Sequence, residues 1–133
     1  MNRTKAREYA FVLLFEYKFQ PDEIETILQD FIADFNPADQ QPYIEKVVRG
    51  TVSELENIDN VIESVSKDWK VERISCVSIA VLRLAVYEIL YCEDIPNVVS
   101  VNEAVNLAKK YDGEEAAPFV NGILDKIRGM QVQ

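Results

Sequence analysis

From Ser75 to Cys92 the chain reads SCVSIAVLRLAVYEILYC, a run that is apolar on almost every side if wound into a helix. A helix apolar all round has to be buried on all sides. Arg83 and Glu88 interrupt the run, and its core, Val77–Tyr91, is shorter than the roughly 20 residues needed to cross a bilayer. The remaining segments must therefore wrap it, which fixes a helical bundle around a central helix.

Those segments have the required periodicity. A first helix is predicted from about Thr4 to Phe19, with Ala6, Ala10, Leu13, Leu14 and Tyr17 on one face. A second starts at Pro21-Asp22, buries Ile24, Ile27, Leu28, Phe31, Ile32 and Phe35, and stops at Asn36-Pro37, since the residue before proline avoids helix. The third follows Pro42, with Ile44, Val47, Val48, Thr51, Val52 and Leu55 inward. Its Gly50 costs about 1 kcal/mol relative to alanine, which a close helix–helix approach would explain. A fourth, near Asn57–Lys67, buries Ile58, Val61, Ile62 and Val65. After the central helix and the turn Asp94-Ile95-Pro96, the Ser100-x-x-Glu103 spacing resembles a capping box for a sixth helix ending at Gly113. Pro118 sits in the first turn of a seventh, which carries Phe119, Val120, Ile123, Leu124 and Ile127 inward. No segment alternates as a strand would. The expected fold is all-α, about seven helices in one unit spanning residues 1–133, with helical halves at about 1–68 and 69–133.

Charge is distributed unevenly. The net charge is -9, yet residues 1–18 carry four bases against two acids, and residues 19–66 carry eleven acids against Lys46 and Arg49. All of the net acidity thus belongs to the middle segment. A basic end survives, so the total does not exclude RNA. The N-terminus lacks the apolar region of a signal peptide. Cys76 and Cys92 fall roughly 24 Å apart on one helix and cannot bridge each other. A cytoplasmic chain with reduced thiols is expected, without a membrane segment.

Catalytic chemistry has little to work with. There is no histidine, no Gly-rich phosphate loop and no metal-ligand spacing, and the carboxylate pairs read as solvated helix faces. No catalytic residue, cofactor or metal is assigned, and the chain is not expected to be an enzyme.

The first helix offers a binding surface instead. Arg3, Arg7, Phe11 and Phe15 recur every four residues, with Lys18 or Phe19 extending the row. Such a row drifts only about 40° per step, giving a stripe that starts cationic and continues aromatic. Cations for phosphates beside rings for unpaired bases suit single-stranded RNA. The competing reading makes Phe11 and Phe15 core residues and the bases a solvated end. Asn102 and Asn121, set among apolar residues, read as buried structural amides. Arg83 and Glu88, five apart, should each find a separate partner or reach solvent.

A resemblance bears on that choice. Ala80-Val-Leu-Arg-Leu-Ala-Val-Tyr-Glu-Ile89, Asp94-Ile-Pro96, Val101-Asn-Glu-Ala-Val105 and Phe119-Val-Asn-Gly-Ile-Leu-Asp-Lys126, after an opening Lys5-Ala-Arg-Glu8, resemble the NusB family in order and spacing along essentially the whole chain. The resemblance implies an all-α transcription antitermination factor. Its partners would be boxA-type single-stranded RNA in ribosomal RNA leaders, the small-subunit ribosomal protein NusE and the elongating RNA polymerase complex. A homodimer is among the assemblies it leaves open.

Carried over position by position, the RNA-binding residues would be Arg3, Lys5, Arg7, Phe15 and Phe119. Thr4 and Pro118 stand where relatives often carry bases, which implies fewer phosphate contacts. The NusE surface would follow the central helix at Val77, Ser78 and Val81, with Ser78 replacing a commonly acidic residue. NusB-like domains also precede a Rossmann-like domain in ribosomal RNA methyltransferases, a reading disfavoured by the missing Gly-rich loop. The remaining alternative is an acidic interaction module that docks a ribosomal protein without touching RNA.

Overall fold

The computed structural model describes residues 1–67 and 69–130. Seven α-helices follow one another: α1 (Arg3–Phe19), α2 (Ile24–Phe35), α3 (Gln41–Ser53), α4 (Leu55–Val65), α5 (Cys76–Tyr91), α6 (Asn97–Asp112) and α7 (Ala116–Met130). Single 3₁₀ turns at Pro21–Glu23, Ala38–Gln40 and Val71–Arg73 join them, and there is no strand among the described residues. The all-α expectation holds.

Local chemistry sets the helix ends. Asn2 caps α1, its side-chain oxygen accepting from the Lys5 N–H at 2.8 Å. Ser75 does the same for α5, accepting from the Ser78 N–H at 3.1 Å. Asn36 ends α2 in a left-handed conformation with φ of 43°, which asparagine tolerates better than most residues. Gly113, with φ of 98°, closes α6 in a region that only glycine enters freely.

α5 is the axis of the bundle. It contacts α1, α3, α4, α6 and α7, and eleven of its residues are buried. Ile79, Leu82 and Leu84 are among its fully buried side chains, each contributing roughly 1.5–3 kcal/mol through burial. Arg83 reaches the edge of this packing and forms a two-pronged bridge to Asp59 on α4, both bonds at 2.9 Å. Cys76 is half-buried and Cys92 buried; both are free thiols, and burial pushes the Cys92 thiol above its ordinary range.

Two boundaries differ from the sequence expectation. Leu55 opens α4 instead of closing α3, because the chain turns at Glu54. α6 begins at Asn97, right after Pro96, so Ser100 lies inside the helix and the capping box does not form. Ser100 and Glu103 are instead engaged by other helices, as described below.

At Gly50, α3 lies directly against the Tyr87 ring of α5. A Cβ there would lie 2.2 Å from Cζ of Tyr87, whose ring is itself stacked on Tyr91 at 5.1 Å. In an exposed helix Gly→Ala stabilises by about 1 kcal/mol. Here Gly50→Ala is expected to destabilise by about 1–3 kcal/mol through overpacking, read from the shift in urea midpoint. An unchanged or raised midpoint would show that Tyr87 can move aside freely.

Candidate nucleic-acid interface

Arg7 faces inward. It is 3% exposed, and its guanidinium donates to Oε2 of Glu88 at 2.9 Å and to Oε1 of Glu103 at 2.7 Å. Glu88 is fully buried and also accepts from the Tyr43 hydroxyl and, at 2.7 Å, from the Ser100 hydroxyl. Thr4 donates to Glu103 at 2.8 Å. Burial works against the charge of Arg7, but the bond to Glu88 and the neighbouring carboxylates raise its pKa above the usual value. Burial, then the charge of Glu88, holds the Tyr43 phenol well above its own. The network ties α1, α3, α5 and α6 together and leaves no polar atom of Glu88 facing solvent.

The basic end of α1 is therefore Arg3 and Lys5. Arg3 donates from Nε to Gln40 at 2.7 Å and stacks over the Tyr43 ring at 4.1 Å. Lys5 pairs with Glu8 at 3.2 Å, and Glu8 also receives Lys110 at 2.6 Å and the Tyr111 hydroxyl. Hydrogen bonds from Lys110 and Tyr111, against some burial, hold the Glu8 carboxyl down to about 2, so it stays anionic and gathers both lysines. The tail of α6 thereby joins the start of α1.

Beyond this pair runs a line of rings. Tyr111 packs on Phe11 at 5.0 Å, Phe11 on Phe15 at 6.4 Å, and Phe15 on Phe19 at 5.2 Å. Phe11, Phe15, Tyr111 and Val77 line a shallow apolar recess of about 190 Å³. The next residues along α5 and α6, Ser78 and Asp112, line a second recess of about 540 Å³ with Trp69, Arg73 and Phe119. The two hollows share the ridge where α5 begins and α6 ends. Trp69 is 50% exposed and meets Phe119 edge-on at 6.2 Å. The Ser78 hydroxyl donates to Asp112 at 2.8 Å across the ridge.

Set against the sequence expectation, Arg3, Lys5, Phe15 and Phe119 lie at the surface or half-buried, while Arg7 is a correction. The four-residue row brings it round to the α5–α6 side, where two carboxylates hold it. Phe11 is likewise core, at 3% exposure. α5 is wrapped by its neighbours, so Ser78 and Val81 are buried, Ser78 still lining the second recess, and of the three residues assigned to a partner only Val77 is half-exposed. Asn102 and Asn121 are exposed, not buried amides, since each falls on the outer face of its helix. Arg83 and Glu88 do find separate partners. Sequence reasoning missed Trp69, Arg73, Lys110 and Tyr111. The triplet Lys109-Lys110-Tyr111 was a visible basic–aromatic signal, but only the fold brings it to α1.

No group of acids or cysteines that could hold a metal occurs among the described residues, nor a helix long and apolar enough to cross a membrane.

Residues 4–128 match the model of the NusB family. The chain is similar to the transcription antitermination protein NusB of Acetivibrio thermocellus, 45% identical over 96% of this chain and 88% of that one. Among solved structures it is similar to T. maritima NusB, with a TM-score of 0.89 and 37% identity over 97% of this chain and 92% of the other. It is also similar to a structure of the antitermination factors NusB and NusE in complex with dsRNA, with a TM-score of 0.86 and 28% identity over 98% and 99% of the two chains.

Proposed function

This chain belongs to the NusB family, and on that premise we propose that it is a transcription antitermination factor acting with NusE on boxA-type RNA of ribosomal RNA leaders, in the cytoplasm, within the elongating polymerase complex. It works by binding and carries out no catalysis.

The observation that carries the RNA reading is the junction of α1 with the end of α6. Lys5 and Lys110 meet at Glu8, and Tyr111 and, past the buried Phe11, Phe15 and Phe19 continue from them as a line of rings. A strand entering at the lysines has phosphate contacts first and ring faces next. Phe15 and, past the Ser78–Asp112 ridge, Phe119 with Trp69 then take the bases, while Arg73 offers another cation. Arg7 serves this surface by holding α1 against α6 through Glu103, not by touching phosphate. Val77, at the recess beside the rings, is the half-exposed one of the three α5 residues assigned to the partner.

The test is the salt dependence of binding. On a single strand, log affinity falls with log salt by about 0.7 per phosphate neutralised. With NusE present, Lys5→Ala/Lys110→Ala is expected to flatten that slope by about 1.4 on a boxA-like RNA. An unchanged slope would put the phosphate path elsewhere. Binding of NusE but never of RNA would favour the interaction module.

A further inference from the structure

A different side of α1 meets α2 in a groove of about 580 Å³. Its floor is aromatic: Tyr9 lies 5.0 Å from Phe31 and 5.3 Å from Phe35, and Phe31 stacks on Phe35 at 5.1 Å. Phe35 is 54% exposed although it ends a helix and packs on two rings. Glu16, Glu23, Asp30 and Asp34 line the same groove. Among the described residues none of these four forms an ion pair, whereas Glu8, Glu25, Glu45 and Asp59 nearby all do. Four uncompensated carboxylates thus surround a half-exposed aromatic floor. Lys5 already rests over the Tyr9 ring at 5.4 Å, so the floor accepts a cation against its π-face.

We propose that this groove docks a Lys/Arg-rich amphipathic segment of a protein partner, its apolar side on Phe35, Ile27 and Tyr9 and its cations on the surrounding acids. Asp30 and Asp34 stand one helical turn apart, the spacing at which a helical segment presents cations four residues apart. Charge complementarity selects this occupant. Phosphates would meet four carboxylates, and a second copy would bring another net -9. The groove adjoins the lysine–aromatic line at Lys5 and Val12, but its four acids and Phe35 are no part of that line, so the inference stands without the RNA reading.

The probe is a peptide of about 14 residues built from Leu and Arg at helical spacing, with a control in which every Arg is Gln. Titrated into the ¹⁵N-labelled full chain, the Arg peptide is expected to saturate and shift the amides of Tyr9, Ile27, Asp30, Asp34 and Phe35, and the Gln peptide is not. Asp30→Asn/Asp34→Asn should weaken binding roughly fivefold, the scale of two exposed ion pairs. Phe35→Ser should weaken it through the floor, with the dispersed spectrum of the parent retained because the ring is largely exposed. No saturation, shifts centred on Trp69 and Phe119, or equal affinity of the double variant would overturn the proposal. So would a dimer in sedimentation that Phe35→Ser dissociates, which would assign the groove to a second copy.

Discussion

Arg7→Met is expected to lower the unfolding free energy by about 3–5 kcal/mol. The cause is what remains behind. Glu88 is fully buried and would keep the hydroxyls of Tyr43 and Ser100 but lose the one cation paired with it among the described residues. A carboxylate left unpaired in the interior costs far more than the pair contributes when intact. Urea unfolding followed by helical circular dichroism gives the number. Adding Glu88→Gln to Arg7→Met removes the stranded charge, so the double variant should recover part of the loss. A loss below about 1 kcal/mol for Arg7→Met would mean that the pair is weakly coupled, as surface pairs are. The same experiment separates two roles for Arg7. A residue that touched phosphate would change the salt dependence of RNA binding, whereas one that positions α1 would change stability.

The second large effect concerns the rings. Phe15→Leu/Phe119→Leu keeps the apolar bulk that packs on the core but removes both π-faces. Each base–aromatic stack contributes about 1–3 kcal/mol, so the double variant is expected to lose roughly 30-fold or more in affinity for a boxA-like RNA with NusE present. The salt slope should stay that of the parent, because no phosphate contact is removed. Fluorescence anisotropy at two salt concentrations reads both quantities. Unaltered affinity would leave Phe15 and Phe119 as packing residues, the competing reading of the α1 stripe. Equal losses from either single variant, with no further loss in the double, would mean that the two rings hold one base between them.

The two effects separate along one helix. α1 carries its stabilising cation and its candidate stacking ring only eight positions apart, and their roles follow from the direction each faces. From Arg7 to Phe15 the helix turns by about 80°, enough to pass from the buried α5–α6 side to a half-exposed recess. Periodicity alone placed both on one stripe. It measures the angle between residues, but not which neighbour will occupy each angle.

The same limit explains the other corrections. Ser100 and Glu103 have the spacing of a capping box, but they sit within reach of Arg7 and Glu88, and buried charges outbid a helix terminus for those hydroxyl and carboxyl groups. The resemblance alone assigns Ser78 and Val81 to a partner, and the five helices around α5 bury both, as its all-round apolar pattern requires. Gly50 was the reverse case: its penalty in a helix already pointed to close contact, and Tyr87 proved to be the contact.

The sequence by itself determined the all-α fold, the central position of α5, the order of the helices and the family, since these rest on local periodicity and on blocks in fixed order. It also located the net acidity in residues 19–66, clear of the basic N-terminal end. Tertiary structure alone decided which charges are available. It buried Arg7 against Glu88, brought Lys110 and Tyr111 from α6 to Glu8, and left Glu16, Glu23, Asp30 and Asp34 without an ion pair among the described residues. The physical reason is range. Helix formation and burial pattern are read within a few turns of chain, whereas the pairing of a charge depends on groups up to a hundred residues away.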